Sequence, residues 1–138
     1  MKSRGLPLFA VLLLIGALAL ACGSSTPRLA QSLAVTPATA DASSYPNGQV
    51  RFTATAYYTT KPSPVSPVTA TWGACLQSAA TKDVTVSANG VAHCAAGAAG
   101  SYTVWAYVMS GAQVCPLYLT ECGSGGCQVT GTAQITCP

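Results

Sequence analysis

The chain has 138 residues, half of them hydrophobic and only 7% charged, with a formal net charge of +3. That length suits one domain of ordinary size once a leader is set aside. So weak a charge excludes a nucleic-acid surface, and three acidic residues in all leave little material for acid–base chemistry.

In chain order, Lys2 and Arg4 open a short positive segment, followed by an apolar run from Leu6 to Ala21. Sixteen residues fall short of the roughly 20 that a membrane span needs. A basic start, an apolar middle and small residues at the end describe a secretory signal peptide over residues 1–21. Its end, Ala19-Leu20-Ala21-Cys22, resembles the lipobox of bacterial lipoproteins, with Ala19 where that family prefers Leu. The resemblance implies cleavage before Cys22 and lipidation of its sulfur, hence a membrane partner reached through the N-terminal lipid. Gly23 in place of Asp favours the outer membrane if the host has two. Beyond Cys22, four basic residues face three acidic ones, so most of the net charge belongs to the leader.

Residues 22–32 read as the lipidated cysteine and a short polar tether, and residues 33–138 as one domain. Leu33-Ala34-Val35 is a brief strand before Pro37, and Tyr45-Pro46-Asn47-Gly48 is a turn. In QVRFTATAY (49–57), Val50, Phe52, Ala54 and Ala56 alternate with Gln49, Arg51, Thr53 and Thr55, so one face is buried and the other wet. Pro62, Pro64 and Pro67 make a loop, because proline lacks the ladder donor. Val68, Ala70 and Trp72 alternate again, and Asp83–Val86 and Val91–Cys94 flank a hairpin turn at Asn89-Gly90. YTVWAYV (102–108) has few polar residues and predicts a central strand covered on both faces, with Trp72 and Trp105 in the core. A last strand runs from about Val129 to Thr136. Seven or so short strands about ten residues apart predict an all-β antiparallel sandwich.

Setting Cys22 aside, six cysteines remain: Cys75, Cys94, Cys115, Cys122, Cys127 and Cys137. An even number in a small exported domain reads as a disulfide framework. Zinc would prefer C-x-x-C knuckles and a redox site a C-x-x-C at a helix start, and neither spacing occurs. Cys75–Cys94, Cys115–Cys137 and Cys122–Cys127 are the expected bridges, with exchanges among the last four equally easy to draw. The 75–94 bridge would contribute about 3 kcal/mol on the chain-entropy model.

The segments LAVTP, GQVRFTATA, VTATW, VTVSANGVAHCAAGAAGSYTVWAYV and GTAQIT resemble, in this order, the group 2 bacterial immunoglobulin-like domains of intimin- and invasin-type adhesins. Gly48, Thr55-Ala56, Trp72, Val86-Ser87, Gly90 and Gly100 occupy the matching places. The resemblance implies an Ig-like β-sandwich, disulfide-stapled here, with an insertion at about residues 110–127 that the family's usual domain lacks. It implies a non-catalytic cell-envelope protein serving adhesion, protein–protein interaction or a structural role, its partner an unknown extracellular protein. A carbohydrate-binding module that takes a polysaccharide is the alternative.

His93 is the one candidate base, and the strand phase puts it on the wet face, opposite Ala92. Asp41 reads as a turn residue and Asp83, beside Lys82, as a solvated edge pair. No cofactor and no metal is expected. Leu117 and Tyr118, in an apolar patch on the insertion, and Tyr57 and Tyr58 are the candidate binding surface. For the patch, a flap folded back over the sheet edge is the reading favoured over a contact surface.

Overall fold

The computed structural model describes residues 26–111, 122 and 126–138. Ten strands occupy them: β1 (Ala30–Thr36), β2 (Thr39–Asp41), β3 (Gln49–Arg51), β4 (Thr53–Tyr58), β5 (Thr71–Leu76), β6 (Ala79–Ala80), β7 (Val84–Val86), β8 (Val91–Cys94), β9 (Gly100–Met109) and β10 (Gln128–Cys137). The fold is all-β. Three sheets form, in the orders β1-β4, β3-β8-β7 and β2-β10-β9-β5-β6. The count exceeds seven because two very short strands, β2 and β6, add themselves to the large sheet, and because the run from Gln49 to Tyr58 serves two sheets.

That run alternates as its sequence dictates: Val50, Phe52, Ala54 and Ala56 are buried to within 1% of their surface. Its backbone changes partner midway. Gln49–Arg51 pair with β8, whereas Thr53–Tyr58 pair with β1. Phe52 lies between, its N–H donating to the Gly90 carbonyl at 2.8 Å. Gly90 closes the hairpin between β7 and β8 at φ +74, and a Cβ there would stand 2.4 Å from the Phe52 oxygen. The left-handed backbone and the close approach both require glycine.

Between β1 and β2 the chain passes Pro37 and changes sheets. β1 runs antiparallel to β4, while β2 runs parallel to β10 with Ala40 opposite Ile135. Two 3-10 turns follow, Ala42–Ser44 and Pro46–Gly48, with Asn47 and Gly48 at positive φ. The turn expected at residues 45–48 is the second of them. Asp41 caps the first by accepting from the Ser43 N–H at 2.9 Å and the Ser43 hydroxyl at 2.7 Å.

β9 lies between β10 and β5, so both its edges are paired. Its faces are unequal, which corrects the expectation of a strand covered on both sides. Tyr102, Val104, Ala106 and Val108 point into the core, while Thr103, Trp105 and Tyr107 form a half-buried outer row. A run with few polar residues arose here from an aromatic outer face, and periodicity cannot tell that from a second core face. Trp72 packs against the core; Trp105 does not belong to it.

The segment before β5 also differs from its reading as a strand. Val68 and Ala70 pack against the core from a loop, with the Val68 N–H donating to Ala54 at 2.9 Å, and regular pairing begins only at Thr71. Pro64 and Pro67 remove two ladder donors, so pairing shrinks to a single bridge between Ala56 and Val65. Side chains of all three sheets meet in one core, where Phe52, Ile135, Val50 and Val104 are the largest fully buried apolar groups alongside the bridged Cys75.

Candidate functional site

The disulfides overturn the expected pairing. Cys75 is bridged to Cys122 and Cys94 to Cys137, with Cα–Cα distances of 6.0 and 5.9 Å. Cys75 sits on β5 opposite Thr103 in the large sheet, whereas Cys94 ends β8 in a different sheet opposite Val84, so a 75–94 bridge has no geometry. Cys137 closes β10 at the same end as Cys94 and takes it instead. Cys122 reaches back to β5 rather than closing the Gly-rich turn on Cys127, so 115–137 and 122–127 fail as well. Cys127 is also disulfide-bonded, to a partner outside the described residues, where Cys115 lies. Sequence separations of 47 and 43 residues imply about 4 kcal/mol for each of the two bridges on the chain-entropy model.

The outer face of the large sheet is the surface that sequence reasoning missed. Trp105 stands between Gly73 on β5 and Thr132 on β10. Its ring lies over Gly73, where a Cβ would come within 2.2 Å of it. Tyr107 stacks beside it, with ring centroids 5.7 Å apart and planes 14° from parallel. Along the same face Gln134 donates to the Thr103 hydroxyl at 3.1 Å and accepts from Ser101 at 3.0 Å. A cavity of about 240 Å³ is lined by Cys75, Gln77, Thr103, Trp105, Cys122, Thr130 and Thr132. Trp105 Nε1 and Thr130 Oγ1 are buried without a hydrogen-bond partner. Each such orphan costs about 1–3 kcal/mol. The aromatic pair and the hydroxyls and amide around it, with Asp41 at the β2 edge of the same face, are chemically suited to a polyhydroxylated ligand. Gly73 was the available signal, since a glycine in mid-strand marks a close approach.

Of the candidate binding residues, Tyr57 is 42% exposed and points outward from β4, opposite Ser32. Tyr58 is half-buried, with the Arg28 guanidinium carbon 3.9 Å from its ring centre. The two tyrosines belong to a different sheet from Trp105, so the structure does not join them to its aromatic pair. Leu117 and Tyr118 lie outside the described residues.

Arg28 belongs to a clamp at the start of the described chain. It donates to the Pro62 carbonyl at 2.5 Å. The Leu29 N–H donates to Thr59 Oγ1 at 3.0 Å, and the Thr59 N–H returns a bond to the Leu29 carbonyl at 2.9 Å. The chain is therefore held against the domain from Pro27 onward, and its first strand begins at Ala30, three residues before Leu33.

His93 is exposed on β8 between Gln49 and Thr85. The pocket of about 380 Å³ beside it is lined by Ser43, Tyr45, Asn47, Cys94, Pro138 and small residues, with no Asp or Glu side chain among the described residues. Asp83 is engaged elsewhere, accepting from the Tyr102 hydroxyl at 3.3 Å. Burial first, and then the Asp83 charge and hydrogen bond, push the Tyr102 phenol above its ordinary pKa. The Ser43 hydroxyl and N–H hold the Asp41 carboxyl below its usual range. Among the described residues no group of three or more His, Cys, Asp or Glu side chains could hold a metal ion. No protein-family model matches the chain, and no curated protein matches it.

Proposed function

We propose that this protein is a cell-envelope lipoprotein, anchored through Cys22, whose Ig-like domain serves adhesion, protein–protein interaction or a structural role outside the cytoplasm and catalyses nothing. The observation that carries the reading is the state of the cysteines. All five described ones are disulfide-bonded, which belongs to an oxidising compartment, and Cys22 stands apart at the end of a leader-like segment. The outer membrane is the favoured address in a host with two.

The strand order supports the Ig-like part. The reading takes β1-β4 and β3-β8-β7, continuous through Phe52, as one layer and β2-β10-β9-β5-β6 as the other. On this reading the order corresponds to ABED against CFG of an Ig-like sandwich, with the first strand divided between layers and β6 added beyond β5. The intact mass of the protein from its native host tests the reading. A chain starting at Cys22 with added acyl mass, and six alkylations only after reduction, is the expected result; free thiols, or a mass that retains residues 1–21, would sink it.

A second reading, a carbohydrate-binding module, is favoured by the Trp105–Tyr107 pair and the unpaired Trp105 Nε1 beside it. Retention on polysaccharide that is lost in Trp105→Ala and kept in Tyr57→Ala is its expected signature. Equal retention of both variants counts against this face as the sugar site.

A further inference from the structure

The clamp at Pro27–Leu29 has a consequence for how the domain stands on its membrane, given the proposed lipid anchor at Cys22, on which this inference rests. Five residues lead from Cys22 to Pro27, and fully extended they span at most about 18 Å. The end of the domain that carries the clamp is therefore held at the headgroups. That end holds the start of β1, the end of β4 and, through the Ala30 N–H bonded to the Ser110 carbonyl, the end of β9. Its charged groups among the described residues are Arg28 and Lys61, both exposed and joined through the Pro62 carbonyl that Arg28 binds. Met109, 59% exposed, adds an apolar side chain at the same end, on the outer face of β9.

The described acids lie at the other end. Asp41 is opposite Thr136 where β10 closes, and the Asp83 carbonyl accepts from Ala95 just past β8. Lys82 accompanies them, and Arg51 lies midway, opposite Val91. The length of β9 separates the two ends by about 30 Å, several Debye lengths at physiological salt. Among the described charges, Arg28 and Lys61 are the ones that feel a charged surface at the anchor.

We propose that the Arg28–Lys61 end is a membrane-contact surface that takes anionic phospholipid headgroups and stands the domain end-on, its Asp41–Asp83 end directed outward. Among the described residues the Arg28 guanidinium makes one hydrogen bond, to Pro62, and Lys61 is exposed to solvent. Near an anionic surface each cation is worth about fivefold in occupancy.

The processed full chain holds two lysines, Lys61 and Lys82, one at each end. Purified lipidated protein is reconstituted into vesicles of phosphatidylcholine, with or without a quarter phosphatidylglycerol, and acylated with a water-soluble amine reagent. Peptide masses then report each lysine. On anionic vesicles Lys61 is expected to label at least about fivefold more slowly relative to Lys82 than in detergent, and Arg28→Gln is expected to narrow the gap. Equal labelling of the two lysines on anionic vesicles overturns the orientation. Protection of Lys61 as strong on neutral vesicles overturns the headgroup contact and leaves the short tether as its cause. The intact mass of the same sample separates these results from failure of the anchor: a chain with no acyl group that washes off vesicles overturns the lipoprotein reading and this one with it.

Discussion

Cys94 is bonded to Cys137, the last residue but one, so the second arm of the Asn89-Gly90 hairpin holds the end of β10. The bridge joins strands of two different sheets at the end where Asp41 and Asp83 also lie. Replacing both cysteines by Ser removes a constraint worth about 4 kcal/mol, which for a domain of this size lowers Tm by roughly 15 °C. Thermal denaturation under non-reducing conditions checks it. A fall of only a few degrees would mean that the reduced chain already confines this end.

Cys127 is bridged outside the described residues, and the two cysteines there are Cys22 and Cys115. Lipidation of Cys22 leaves Cys115 as the partner. Proteolysis without reduction should yield a cross-linked peptide pair containing Cys115 and Cys127, together with the 75–122 and 94–137 pairs. A cross-link from Cys127 to Cys22 would contradict the lipid anchor outright.

Gly90→Ala meets two obstacles at once, a positive φ and the Phe52 carbonyl 2.4 Å from the new methyl. Left-handed backbone costs about 1–2 kcal/mol for a residue with a Cβ, and overpacking adds about 1–3. Chemical denaturation should register a loss of about 2–5 kcal/mol. Gly97→Ala, also at positive φ but with open space around its Cβ, should show only the backbone part.

Gly73→Ala puts a methyl where the Trp105 ring lies. The strand can remain while the indole moves, so the far-ultraviolet spectrum should be unchanged. Near-ultraviolet dichroism and Trp emission should shift, with a stability loss of about 1–3 kcal/mol. An unchanged near-ultraviolet spectrum would place the ring elsewhere.

The Tyr102 phenol titrates above its ordinary value of 10.0 in the folded state. The unfolded chain therefore gives up this proton first. The corresponding stability is fully present below about pH 10 and is lost as pH rises through the folded pKa. Unfolding monitored from pH 8 to 12 should show an alkaline fall that is smaller in Tyr102→Phe.

Much of this fold is legible in the chain because it is local. The alternation of Val50, Phe52, Ala54 and Ala56, the turn at Asn89-Gly90 and the proline loop at residues 62–67 follow from a period of two and from turn chemistry, whereas the start of β5 at Thr71 rather than Val68 does not. The cysteine count likewise announced disulfides before any pairing was known. The pairing itself is tertiary. Cys75 and Cys94, 19 positions apart in the chain, are divided between sheets, and sequence distance carries no record of which sheet a strand joins. The outer placement of Trp105 and Tyr107 is tertiary for the same reason: a strand flanked on both edges is central whichever of its faces is covered. So is the clamp of Arg28 on Tyr58 and Pro62, which turns a polar tether into part of the domain. Backbone periodicity and turn residues are properties of neighbours along the chain, whereas partners across sheets depend on how β2-β10-β9-β5-β6 and the β3–β4 run come together.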